Sequence, residues 1–383
     1  EQNEIGIKES TKEGKIKCLV RLSSHLNHKS FKDMTKDDIL SYLNSLKKPE
    51  SEDPKHRSIG TYNGRQMILS KFFRWLYNQY ETDIKKRITP PCMQGIRRLP
   101  RKETSPYKPS DLWDHEETNI FLKYCPSPRD RAFHAMAIDT SARPHELLNL
   151  RIGDIIFKKI SDGTQYAEIM VSGKTKSRTL PLIHSLPYVK EWINCHPHST
   201  NSNAWLFISF SKWNRHGKLT RDGLLKVYEE YYKKRYFPAL LAKSDVPERD
   251  KAYVRYLLSK PWNLYILRHS ALTEKSKILK EHTLRDHAGW SITSKMPQVY
   301  IHYFGTESAN SLLEAYGIVK EDNKHLAQIN PLTCPHCGES NKPQNRFCIS
   351  CKMILKYQVY TETINEHYAP AEVIAGLSDM VMK

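Results

Sequence analysis

No run of about 18 or more apolar residues occurs in this 383-residue chain, which argues against a helix that crosses a membrane. A signal peptide, with a basic start and an apolar centre, is missing too. The chain opens at Glu1 without a methionine, which reads as a trimmed or processed product. There is no internal repeat of fixed period and no low-complexity tract, so a repeat array is not expected. Acidic residues are scarce: 42 Asp+Glu face 60 Lys+Arg, for a net charge of +18. That deficit favours a polyanionic partner whose binding weakens steeply with salt, although charge alone fits RNA, DNA or an anionic membrane surface. A disulfide framework is not expected either. Of eight cysteines, Cys18, Cys92, Cys125 and Cys195 are scattered singly, and the other four form two C-x-x-C pairs. That pattern fits a metal site in a reducing cytosol.

The length exceeds that of one compact domain, and two or three are expected. Residues 1–80 read as helical. Ile16, Leu19, Val20 and Leu26 recur on one expected face, Thr35-Lys-Asp-Asp38 offers a helix cap, and Leu69, Phe72, Phe73 and Leu76 follow the i, i+3, i+4, i+7 stripe of a packed helix. Residues 48–58 are polar with two prolines and read as a loop. Residues 85–108 carry Pro90, Pro91, Pro100 and Pro106 among Arg97, Arg98, Arg101 and Lys102. Prolines suppress helix and the cations favour water, so this segment reads as a basic linker between domains, with a loop inside one domain as the alternative. Beyond it, helices are expected over 119–125, 131–138, 224–236, 264–280 and 308–316. Short strands over 166–172 and 178–182 flank a hairpin at 173–177. The expected fold class is mainly α with a small antiparallel β-sheet (α+β).

Three stretches carry candidate chemistry. In Ser141-Ala-Arg143-Pro-His-Glu146, Pro144 suits the first helical position and Glu146 the third, leaving Arg143 at the helix start, where a phosphate oxygen would be welcome. Lys174, Lys176 and Arg178 surround one hairpin turn about thirty residues later. A mobile hairpin lysine can protonate a leaving 5′ oxygen if neighbouring cations lower its pKa. In Tyr265-Ile-Leu-Arg268-His269, positions 265, 268 and 269 share one helical face, and Arg268 can offer two parallel donors to a phosphate. Ala288-Gly289-Trp290 and Gln298-Val299-Tyr300 follow. Singly, each is an ordinary surface or core residue: a capped arginine, a solvated basic turn, a structural histidine, a buried tyrosine. Their order and spacing single them out.

Cys334-Pro-His-Cys337 and Cys348-Ile-Ser-Cys351 stand ten residues apart. Four thiolates in that arrangement suit a closed, tetrahedral, structural Zn2+ site, with His336 a bystander. So short a segment has little core, and metal binding would supply most of its folding energy. The surrounding residues look like a zinc ribbon.

Taken together, Arg143, Lys174, Tyr265 with Arg268, Gly289 with Trp290, and Tyr300 resemble the tyrosine recombinase (phage integrase) family. Its active site is assembled from an arginine, a hairpin lysine, His-x-x-Arg, Gly-His/Trp and a final tyrosine. The match runs over 110–319, more than half the chain, and Lys71-Phe-Phe-Arg-Trp-Leu76 is similar to the last helix of the family's core-binding domain. Residues 290–302 are most similar to archaeal integrases. The resemblance implies a helical DNA-binding domain over 1–84, a linker over 85–109, a catalytic domain over 110–320, a zinc ribbon over 330–357 and a tail over 358–383. It implies a site-specific recombinase, located in a prokaryotic cytoplasm, that clamps double-stranded DNA and acts as a homotetramer on paired sites. Tyr300 would be the nucleophile, Arg143 and Arg268 the phosphate clamp, Lys174 the acid, Trp290 a packing support; neither ATP nor a catalytic metal would be needed.

Tyr265 departs from the pattern, because most members carry a histidine there that is thought to deprotonate the nucleophile. A neutral tyrosine is a poor base near pH 7, so the base is open: His269, water, or no role for Tyr265 beyond orienting the phosphate. A type IB topoisomerase and a catalytically inactive DNA-binding derivative are the alternative readings.

Overall fold

The computed structural model describes residues 7, 9–54, 56–100, 107–161, 165–173, 177–301 and 331–356. The chain divides into two compact units, Glu1–Pro106 and Tyr107–Lys383.

In the first unit, α1 (Glu9–His25), α2 (Lys36–Ser45) and α3 (Arg57–Tyr77) pack around Cys18, Leu22, Ile39, Leu43, Leu69 and Phe73. The Thr35 hydroxyl and the Asp38 carboxylate form the reciprocal cap expected at the start of α2. The Leu69/Phe73 stripe is fully buried, with Phe72 and Leu76 packed beside it. The expected face of α1 is corrected. Ile16 and Val20 are more than half exposed, whereas Cys18 and Leu22 are buried. Positions two residues apart lie about 200° apart around a helix, so seating Cys18 and Leu22 inward turns Ile16 and Val20 to water. The expected linker is also corrected over its first part. Cys92, Met93 and Ile96 join this core, and Arg87 is buried, its Nε donating to the Glu81 carbonyl while its own carbonyl accepts Arg74. Among its described residues, regular structure is confined to a 3-10 turn at Pro91–Met93, but its apolar residues still found a core.

The second unit is mostly helical with two small antiparallel sheets. Helices α4 (His115–Tyr124), α5 (Pro128–Thr140) and the one-turn α6 (Pro144–Leu147) lead into β1 (Ile155–Lys159), β2 (Gln165–Ser172) and β3 (Ser177–Leu182), paired in the order β1-β2-β3. Ser172 opposes Ser177, so residues 173–176 join the strands; β1 was not anticipated from sequence. After α7 (Leu186–Cys195) and α8 (Arg221–Lys226), residues Val227–Tyr236 wind as a π-helix rather than the expected α-helix, followed by α9 (Phe237–Leu240). Tyr228 and Tyr232 both point inward, with the Tyr232 hydroxyl donating to Asp130 at 2.7 Å. Phe121 of α4 stacks on His134 at 4.2 Å within this aromatic core.

Helices α10 (Glu248–Ser259), α11 (Leu264–Ile278), α12 (Glu281–Ala288) and α13 (Met296–Ile301) follow, and Leu272, Leu284, Ala288 and Tyr300 form a satellite core among the last three. The expected helix at 308–316 and the tail at 358–383 lie outside the described residues. Strands β4 (Leu332–Thr333) and β5 (Ser340–Asn341) pair antiparallel. Among the described residues no helix is long and apolar enough to cross a membrane.

Candidate active site and cysteine cluster

The site is assembled at the C-terminal end of α12, where helix geometry leaves carbonyls without intrahelical partners. Gly289 caps this helix in the left-handed region at φ 66°. The Gly289 and Trp290 amides donate to the Asp286 and Arg285 carbonyls. The next two carbonyls are taken by guanidinium groups: His287 accepts Arg178 Nε at 2.8 Å, and Ala288 accepts Arg268 Nη2 at 2.8 Å. Cations at the negative end of a helix are favourably placed. Arg268 reaches further, its Nη1 donating to the carbonyl of Ser141, which terminates α5 in the left-handed region. One buried side chain therefore ties the ends of α5 and α12 together.

Arg143 and Arg178 meet on Glu146. The Glu146 carboxylate accepts the Arg143 amide at 2.8 Å and Arg143 Nη1 at 2.9 Å, while Arg178 grips both its oxygens at 3.2 and 2.9 Å. Burial alone would raise the Glu146 carboxyl, but the hydrogen bonds and charge of Arg178 and the bonds from Arg143 hold it down at about 2. Glu146 is thus ionised and fully buried, and Arg143 remains about one-quarter exposed. α6 is a single turn, so the positive charge at this corner belongs to the guanidinium rather than to a helix dipole. Burial first, then the neighbouring charge of Arg143, lowers Arg268 to about 10, opposed by Tyr300 and Glu146. It is still a cation at neutral pH.

Tyr300 is 4 % exposed on α13. Its ring stacks on Trp290 with centroids 5.4 Å apart, and the Arg268 guanidinium lies 5.9 Å from the Trp290 ring centre. The Tyr300 hydroxyl lies 2.9 Å from His269 Nδ1, with the two rings stacked at 5.7 Å. Burial, and secondarily Arg268, lowers His269 to about 4, so this imidazole is neutral near pH 7 and can accept the phenolic hydrogen. Tyr265, in the first turn of α11, is 37 % exposed. Lys174 lies outside the described residues, in the β2–β3 connection.

Four of the expected residues therefore converge: Arg143, Arg268, Trp290 and Tyr300. Three further residues complete the cluster. Arg178 was read only as one of three cations around the hairpin turn, yet its side chain is 6 % exposed. The signal was in the strand alternation, which turns Arg178, Leu180 and Leu182 to the same buried side of β3. Glu146 read only as a capping residue. His287, with Nε2 3.3 Å from Ser141 Oγ, carried no sequence signal.

Gly289 has a second constraint besides its positive φ, because a Cβ there would sit 2.7 Å from Arg178 Nη1. Gly289→Ala should displace Arg178, loosen Glu146 and destabilise the second unit by about 1–3 kcal/mol. A thermal unfolding midpoint equal to the wild type's would contradict this.

Cys334, Cys337, Cys348 and Cys351 place their sulfur atoms within 4.8 Å of one another, with Cys334–Cys351 and Cys337–Cys348 at 3.5 and 3.6 Å. The edge of a tetrahedron around Zn2+ with bonds of about 2.3 Å is about 3.8 Å, so the four thiols fit such an ion. The buried Asn341 side chain lies 3.6 Å from Cys348 Sγ as a donor, which suits a thiolate. This module docks on α7: Lys190 pairs with Glu339 and Lys342 with Glu191, both at 2.5 Å, and Lys342 lies over the Tyr188 ring.

A guanidinium pair, a neutral histidine and a buried tyrosine on a mostly helical scaffold define the class of a DNA strand-transfer enzyme. The phage integrase family model matches residues 112–304, and the chain belongs to this family of tyrosine-type site-specific DNA recombinases. The fold is similar to that of a lambda integrase solved as a dimer bound to a COC' core site, with 14% identity, 78% of this chain and 73% of that chain covered, and a TM-score of 0.51. XerH recombinase in its pre-cleavage complex with a difH substrate (19% identity, 74% and 71% covered, TM-score 0.45) is another match. So is the Tn1549 transposon integrase in complex with transposon right end DNA (12% identity, 82% and 95% covered, TM-score 0.48). No curated protein matches the chain.

Proposed function

We propose that Tyr300 attacks a scissile phosphate in duplex DNA, forms a 3′-phosphotyrosyl link and frees a 5′ hydroxyl, which a second 5′ hydroxyl later reverses on a partner strand. The observation that carries this reading is the Tyr300 hydroxyl held 2.9 Å from a neutral imidazole, its ring stacked on the Trp290 that also lies against the Arg268 guanidinium. Arg143 and Arg268 hold the non-bridging oxygens and stabilise charge in the five-coordinate transition state. Lys174, on the connection between β2 and β3, is the acid for the leaving oxygen; Trp290 holds the nucleophile by stacking. Tyr265 orients the phosphate at the first turn of α11. Because the phosphotyrosyl link retains the energy of the broken bond, religation needs no ATP.

The +18 charge and family membership support duplex DNA as the partner. By the family resemblance, the working assembly is a homotetramer on two paired sites, and the chain is an archaeal-type integrase of a prokaryotic cytoplasm. Residues 1–84, with the stretch through Ile96 that joins their core, serve as the core-binding domain, 110–320 as the catalytic domain and 330–357 as a zinc ribbon. The four cysteines hold a structural Zn2+ that folds the ribbon. With a chelator, or in Cys348→Ser, proteolysis should open residues 331–356 while 107–301 stays folded, and native mass spectrometry should lose the mass of one zinc ion. An uncleaved ribbon without metal would reject the structural role.

A library of nicked duplexes with randomised cores tests the main reading, since a nick beside the cut lets the freed fragment diffuse away and traps the covalent adduct. The expected result is a protein–DNA adduct whose peptide maps to Tyr300. DNA binding without any adduct would mark an inactive derivative. Relaxation of supercoiled plasmid by single, unpaired protein–DNA complexes would favour the topoisomerase.

A further inference from the structure

We infer that His269, and not the residue at position 265, is the general base that takes the proton from Tyr300. The inference rests on the reading of Tyr300 as nucleophile. Geometry comes first: His269 Nδ1 is 2.9 Å from the Tyr300 hydroxyl, within reach for direct proton transfer. Tyr265 is exposed and one helical turn away along α11.

The imidazole is also held in place from two sides. The Tyr107 ring lies against it with centroids 4.8 Å apart, and the Tyr107 hydroxyl donates at 2.9 Å to Asn263 Oδ1. That same oxygen caps the first amides of α11, the helix that carries His269. On the other side the Tyr300 ring stacks on it. Among the described residues, the groups facing His269 are Tyr107 from the segment before α4, Tyr300 from α13, and Arg268 beside it on α11, which is charged.

The step balances without a co-reactant. The Tyr300 oxygen forms its bond to phosphorus as the bond from phosphorus to the 5′ oxygen breaks. The phenolic proton passes to His269 Nδ1, and the leaving oxygen takes a proton from the acid. In the free protein burial, and secondarily Arg268, holds His269 unprotonated. A phosphate docked on Arg268 brings negative charge that offsets this cation and raises the basicity of the imidazole. DNA binding at Arg268 therefore favours proton transfer to His269.

The test uses the full chain and a nicked duplex captured by the wild type from the randomised library, with single-turnover adduct formation followed across pH. Tyr300→Phe controls the underlying reading: an adduct from that variant would overturn the assignment of the nucleophile, whatever His269 does. His269→Gln should cleave about 10²–10⁴-fold more slowly near pH 7, with DNA affinity within about twofold. Its rate should climb about tenfold per pH unit until the phenol ionises by itself. Fluorotyrosine at position 300, which ionises near neutrality, should restore most of the lost rate in that variant. In an otherwise wild-type chain it should flatten the pH profile, a measurement that leaves His269 untouched should the glutamine variant fold poorly. A His269→Gln rate within threefold of wild type, a loss that neither high pH nor fluorotyrosine recovers, or an unchanged profile for the fluorotyrosine chain would each overturn the inference.

Discussion

Tyr300→Phe should abolish covalent capture of DNA while leaving the fold and DNA affinity nearly intact. Phenylalanine keeps the ring that stacks on Trp290 and fills the satellite core with Leu272, Leu284 and Ala288. Only the hydroxyl is lost, and its bond to His269 is among the contacts that go with it. Losing one such hydrogen bond costs about 0.5–1.5 kcal/mol, somewhat more if the imidazole stays buried without a partner. The thermal midpoint should therefore fall by a few degrees at most. Chemistry has no substitute for the nucleophile, so adduct formation should drop by more than about 10⁴-fold. Gel-resolved adduct yield and a binding isotherm on the same duplex separate the two effects. Adduct formation by the variant at a tenth of the wild-type rate would mean that another residue attacks.

Arg268→Ala should damage both chemistry and structure. The guanidinium is a phosphate donor in the proposed mechanism, and removing one preorganised donor of that kind costs about 10²–10³ in rate. It also satisfies the Ser141 and Ala288 carbonyls at the ends of two helices. Left buried without donors, those carbonyls cost about 1–3 kcal/mol each, so the unfolding midpoint of the second unit should fall clearly. Arg268→Lys is the informative companion. It restores the charge, but a single ammonium cannot span two carbonyls and a phosphate as a planar fork does. Lysine should recover part of the affinity for DNA and little of the stability. A lysine variant as stable as the wild type would show that the carbonyl bridge carries little of the stability.

Some parts of this molecule were legible because their signals are local. The Thr35–Asp38 cap, the Leu69/Phe73 stripe and the strands bracketing residues 173–176 each depend on neighbours within a few positions. The C-x-x-C spacing brought four sulfur atoms together because short knuckles leave little choice. The face of α1 was misread because Ile16 and Val20 are as apolar as the residues that were buried instead. Periodicity gives a stripe, and only the packing partner says which stripe faces inward. The segment after Arg87 was misread for a related reason: its prolines were visible, but the core awaiting Cys92, Met93 and Ile96 was not.

Sequence by itself determined the chemical inventory, the family and the order of Arg143, Arg268, Trp290 and Tyr300, because these follow from residue identity and spacing. Tertiary structure alone decided the protonation and pairing: that Glu146 binds two arginines, that Arg178 is buried, and that the Tyr300 hydroxyl meets His269. Those outcomes depend on which groups from α5, β3, α11, α12 and α13 share one water-poor volume. There, desolvation and close charges set the electrostatics, and no property of the separate residues fixes them in advance.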